Sequence, residues 1–160
     1  MHLILEELPD STAENQLLQP IWNKNGRPVH VKHLRPHIYK HLAPSGSFYM
    51  AITDVFQNVI AASNSLTATQ INSANYFHGY VRFDIDAYLP KTVEGNFYTY
   101  YYLSLRSTGY TYSDSAFIGW CYDYDRAQFD LEYTPVGDLD MPFGCEIWES
   151  KNEPTKAVAT

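Results

Sequence analysis

Phe97-Tyr98-Thr99-Tyr100-Tyr101-Tyr102-Leu103-Ser104-Leu105-Arg106 is the stretch that decides the fold class. Its period is two. Phe97, Thr99, Tyr101, Leu103 and Leu105 fall on one side, and Tyr98, Tyr100, Tyr102, Ser104 and Arg106 on the other, as in a strand with one buried face. The same alternation runs outward in both directions. Phe48, Met50 and Ile52 oppose Tyr49, Ala51 and Thr53, and Val81, Phe83 and Ile85 oppose Arg82, Asp84 and Asp86. Beyond Arg106 come Ile118, Trp120 and Tyr122, then Phe129, Leu131 and Tyr133, then Phe143, Cys145 and Ile147. Turn-forming residues at 54–57, 90–96, 107–114 and 134–142 separate these runs. About seven short strands without an amphipathic helix predict an all-β, antiparallel β-sandwich, with jelly-roll connectivity, over residues 47–150.

Residues 1–46 read differently. They hold five of the nine prolines (Pro9, Pro20, Pro28, Pro36, Pro44) and no sustained period. Proline removes a backbone donor and keeps the preceding residue extended, so the expectation is an extended N-terminal arm lying on the body or on a neighbouring subunit. Asn25-Gly26 marks a tight turn between Ile21-Trp22 and Val29-His30-Val31. Residues 151–160 form a polar tail.

The chain has 160 residues and a formal net charge of -7, and that charge is unevenly spread. Lys24, Arg27, Lys32, Arg35 and Lys40 stand in a stretch without an acid, whereas residues 123–149 carry Asp and Glu almost alone. An acidic whole argues against nucleic-acid binding and directs the basic stretch to an acidic surface of the same fold or of a partner. No apolar run is long enough for a membrane-spanning helix, and no secretory leader pattern opens the sequence. Cys121 and Cys145 are too few for a disulfide framework; buried thiols are the reading, with a single bridge left open.

Chemistry-bearing patterns are sparse. In the cluster His30-x2-His33-x3-His37-x3-His41, the residues His33, His37 and His41 would share a helical face suited to zinc only if Pro36 did not interrupt it, so no metal or other cofactor is expected. Asp123-Tyr124-Asp125 and Asp138-Leu139-Asp140 loosely resemble loop calcium ligands, the first without the glycine and terminal glutamate of an EF-hand loop, and solvated loop carboxylates are the plainer reading. Asp84 and Asp86 share one strand face about 7 Å apart, as on any wet strand. No nucleophile elbow, phosphate loop or zinc-protease motif is present, and the expectation is a protein that is not an enzyme. The 14 tyrosines are more informative. Tyr98, Tyr100 and Tyr102 form a stripe opposite Tyr101, and rings with a polar edge suit a subunit contact, cover by the arm, or a glycan.

The order Phe77-His78-Gly79-Tyr80-Val81-Arg82-Phe83, the strand from Phe97 to Leu105, Gly109-Tyr110 and Phe117-Ile118-Gly119-Trp120 resembles the small jelly-roll domains of tailed-bacteriophage virion proteins. Those domains are similar to carbohydrate-binding modules, and the likeness spans residues 47–124. It implies a virion structural protein made in the host cytoplasm: a capsid decoration, head fibre, or tail or baseplate accessory. It carries over no catalytic or ligand residue. On this reading residues 1–46 fasten the chain to other virion proteins, Trp22 as apolar anchor and Lys24, Arg27, Lys32, Arg35 and Lys40 as cationic contacts. Tyr98, Tyr100 and Tyr102 join copies into a homo-oligomer such as a trimer. The alternative is a module or adhesin that binds host surface polysaccharide through the same rings.

Overall fold

The computed structural model describes residues 4–7, 17–121, 131–133 and 145–149. They form two antiparallel sheets packed face to face, an all-β sandwich. The first sheet is organised around β3 (Val29–His41). One edge of β3 pairs with β8 (Phe83–Leu89) along its first half and with β7 (Tyr76–Tyr80) along its second. The other edge pairs with β12 (Cys145–Glu149) and then with β10 (Phe117–Cys121), and β1 (Ile4–Glu7) extends the sheet beyond β10. The second sheet runs β11 (Leu131–Tyr133), β2 (Leu17–Asn23), β9 (Tyr101–Thr108), β4 (Ser47–Thr53) and β5 (Val59–Ala62), with β6 (Leu66–Thr67) also paired to β4. These orders do not by themselves spell the eight-strand jelly roll expected from the strand spacing.

The core lies between the sheets. Val31, Leu34 and Ile38 of β3, Phe83 of β8 and Trp120 of β10 belong to one buried cluster with Ile21 of β2, Leu103 and Leu105 of β9, and Phe48, Met50 and Ile52 of β4. The apolar residues at every second position of β4, β8 and β9 supply this face, as their periods predict, but only β8 leaves its other face exposed; Ala51, Thr53 and Ser104 are buried too.

The expected N-terminal arm is corrected. Residues 17–41 are extended, but as β2 and β3 they are interior members of the two sheets. Two features hid this. Strand β3 is buried on much of both faces, so polar residues do not alternate cleanly with apolar ones. Its register also shifts near Lys32, moving the buried apolar set from Val29 and Val31 to Leu34 and Ile38. Pro36 is tolerated because it sits where β8 gives way to β7 on one edge and β12 to β10 on the other. A missing N–H disturbs a ladder least at such a changeover.

The one α-helix among the described residues, α1 (Ala68–Ile71), is a single turn closed by a capping box between Thr67 and Gln70. Lys40 of β3 is buried beside it and donates to the carbonyl oxygens of Ala68 (3.0 Å), the first residue of the turn, and of Asn72, its C-cap, so the ammonium group ties the two ends of the turn together. Burial lowers the Lys40 pKa.

Candidate functional site

The cations expected to contact another protein are largely committed within this one. Arg27 makes a two-pronged pair with Glu149 of β12, Nη2 to Oε1 at 2.8 Å and Nη1 to Oε2 at 3.1 Å. Lys32 lies 3.9 Å from Asp86, and Lys40 is the buried helix partner already described. Arg35 stands opposite Glu146 in the β3–β12 register. Lys24 rests 4.2 Å above the Trp22 ring, a cation–π contact. Trp22 in turn stacks on Tyr100 with centroids 5.6 Å apart. The charge asymmetry of the sequence is thus met at Arg27 and Glu149 inside the fold.

The tyrosine stripe divides. Tyr101 is buried and donates its hydroxyl to the Pro90 carbonyl at 2.7 Å, and burial pushes its pKa up to about 12. Tyr100 and Tyr102 are half-buried, Tyr100 beneath Trp22 and Tyr102 opposite Pro20 and Thr53 in the ladders. Tyr98 is not in the strand. Residues Phe97–Thr99 form a 3-10 turn capped by the Asn96 side chain, which leaves Tyr98 69% and Phe97 57% exposed.

Tyr98 does not stand alone. Phe56, 67% exposed, stacks on it with centroids 5.6 Å apart, and Phe97 meets Tyr98 edge-on. Val59, Ile60 and Val93 are further large apolar side chains that remain exposed in the neighbouring segments. Both turns that carry the rings are held by dense polar networks. Asp54 accepts from the backbone N–H groups of Phe56 and Asn58 and from the Asn58 amide, and these bonds, led by the Asn58 backbone, lower its pKa. On the other side Thr92 donates to the Thr99 carbonyl, and the Thr99 hydroxyl accepts from the Val93 N–H. Buried Asn23 ties this loop to β2 through Thr92, Leu89 and Pro90. A pair of exposed rings on such fixed turns is an ordered apolar surface. Phe56 and Phe97 were not singled out in the sequence; Asp54-x-Phe56-x-Asn58, an Asp whose side chain can cap its own turn around a large apolar residue, is the signal that could have found Phe56.

The histidines form a second array, on strands rather than on a helix. On the face of the first sheet away from the core, rows run across three strands: Phe117, His41 and Tyr76; Gly119, Tyr39 and His78; and His37 with Tyr80. His37 packs against His78 and Tyr80, each at 4.7 Å between centroids, and His41 stacks on Phe117 at 5.0 Å. Cys121, at the end of β10, completes a cluster with His37 and His78. His33 lies elsewhere, stacked on Trp148. The two cysteines are buried in different places, Cys145 within the core and Cys121 in this cluster.

The carboxylates of β8 are engaged with bases. Asp84 accepts from Arg82 Nε at 2.7 Å. Asp86 accepts from His30, whose ring stacks on Tyr88, and its pKa is lowered chiefly by that bond, with the Lys32 charge assisting. Residues 123–125 and 138–140 lie outside the described residues. No family model matches the chain, and neither a curated protein nor a solved structure is similar to it.

Proposed function

We propose that this chain is a non-enzymatic contact protein, a virion structural or decoration component that docks through the ring pair Phe56–Tyr98. The observation that carries the reading is the exposed parallel stack of these rings on two turns that polar side chains hold in place. Exposed apolar area of this kind costs solubility and is retained where a partner covers it. Rings fixed before contact lose little entropy on docking and form the usual energetic centre of a protein interface. The aliphatic neighbours Val59, Ile60 and Val93 favour protein over sugar, because they offer no hydroxyl partner. The virion setting rests on the resemblance of residues 47–124. Attachment then belongs to the Phe56–Tyr98 surface of the body, since Arg27 and Lys32 already face Glu149 and Asp86 of the same chain and Lys40 is buried.

A glycan reading keeps one supporting feature, the exposed Tyr98 ring with its hydroxyl. The test is a double replacement, Phe56→Ser with Tyr98→Ser. Sedimentation velocity of the purified chain and its recovery on assembled particles are followed beside titration with host polysaccharide. The expected result is loss of self-association or particle recovery, with an unchanged thermal transition. Unaltered assembly together with lost polysaccharide binding would replace the proposal by the glycan reading; unaltered behaviour in every arm would remove the surface from consideration.

A further inference from the structure

His37, His78 and Cys121 come from three strands of the first sheet, and their donor atoms all lie within 4.8 Å of one another. We propose that they form a binding site for a borderline-soft divalent metal ion, in the first place Zn2+, held by one thiolate and two neutral imidazoles with a further position open to water or a partner's ligand. The donor set decides the class. Two nitrogens and a sulfur without a carboxylate suit zinc and its neighbours and do not suit magnesium or calcium.

The placement supports the same ion. β10 and β7 are hydrogen-bonded to opposite edges of β3, so the three Cα positions are set by sheet registers and not by a loop. His37 and Cys121 are 4% and 0% exposed, whereas His78 is exposed. The site therefore has two fixed, buried donors and one outer donor on the side from which an ion can enter. Tetrahedral zinc at ordinary bond lengths needs its nitrogen and sulfur ligands about 3.3–3.6 Å apart. The ion draws donors that already lie within 4.8 Å of one another closer together, and the exposed His78 ring has the most room to turn. Ordinary packing accounts for a histidine pair, but it does not require the chain's one described thiol outside the core cluster to be the third member.

Binding is balanced by one proton. The Cys121 S–H bond breaks, its proton goes to solvent, and the sulfur bonds the metal while each imidazole supplies a ring-nitrogen lone pair. A divalent ion then leaves the site with a single positive charge.

The test uses the full chain stripped with a chelator and titrated with Co2+, whose thiolate charge-transfer absorption reports a sulfur ligand. The expected result is a band that saturates at one equivalent and is displaced by Zn2+. His78→Ala, at the exposed member of the trio, weakens Co2+ by at least about tenfold, the low end of what losing even a supporting group costs a metal site. Cys121→Ser removes the charge-transfer band, and His41→Ala, on the same face but outside the trio, leaves the titration as it was. No saturable band, a band that survives Cys121→Ser, or a loss in His41→Ala equal to that in His78→Ala would each overturn the assignment.

Discussion

Strands β3 and β9 do the same structural work in the two sheets, yet only one of them looks like a strand in the sequence. β9 has a single partner on each edge, β2 opposite residues 101–105 and β4 opposite residues 102–108, and its apolar residues recur at every second position. β3 has two partners in succession on each edge, a register shift and a proline at the changeover. Periodicity reports one face against water. A strand whose outer face is filled with half-buried histidine and tyrosine rings has no such contrast to report. The two candidate sites follow the same division. The outer face of β3 gathers His37 with His78 and Cys121, whereas β9 leads back into the turn that displays Tyr98.

The sharpest way to break the comparison is to remove residues 1–46. If β3 is integral, the truncated chain loses β8 and β7 from one side of a missing strand and β12 and β10 from the other. The expected outcome is a chain without a cooperative thermal transition or the sheet signal in circular dichroism. A folded, soluble body of 47–160 would restore the reading of an independent arm.

The far end of β9 is probed next. Gly46 has φ +86, and an added Cβ would lie 2.5 Å from the Thr108 carbonyl oxygen and 2.7 Å from the Tyr110 nitrogen. Gly46→Ala is expected to destabilise the protein by about 3 kcal/mol in denaturant unfolding, through backbone strain and a contact no rotamer can relieve. Gly95, at φ +89 but facing open space, is the control. Its alanine variant should cost only about 1 kcal/mol.

Lys40, near the end of β3, gives the third test. Lys40→Met removes the donor from the Ala68 and Asn72 carbonyls and is expected to cost about 1–2 kcal/mol at neutral pH. The smallest effect is in the alkaline slope, where the two strands have opposite signs. The Lys40 pKa is lowered by burial, so between that lowered value and the ordinary 10.5 the unfolded chain holds more protons, and stability rises with pH. Tyr101, at the start of β9, is raised from 10.0 to about 12. There the native state holds the extra proton, so its contribution is complete below pH 10 and is lost as pH climbs toward 12. Urea unfolding across this range should show the rising part flattened in Lys40→Met and the falling part flattened in Tyr101→Phe. Identical slopes in both variants would mean that neither group is buried as described.

The alternating runs of β4, β8 and β9 and the turns between them were legible because apolar residues recur at every second position of each, and they were enough to establish a β-sandwich. The basic stretch was legible as a group needing acidic partners, but its partners were not. Arg27 meets Glu149 across 122 positions of sequence, a pairing that only the β3–β12 register and the neighbouring chain path bring about. Tyr98 was legible as a ring off the core. Its escape from the strand depends on the Asn96 cap and the Thr92–Thr99 bonds, and its partner Phe56 on a different turn.

By itself, then, the sequence determined the class of the fold, through local side-chain alternation that needs no knowledge of neighbours. Tertiary structure alone decided that residues 29–41 form the spine of a sheet, that Phe56 pairs with Tyr98, and that a cysteine at 121 faces histidines at 37 and 78. The reason is physical. Strand pairing sets distances across the sheet between residues of any separation along the chain, and no local period records which strands will meet.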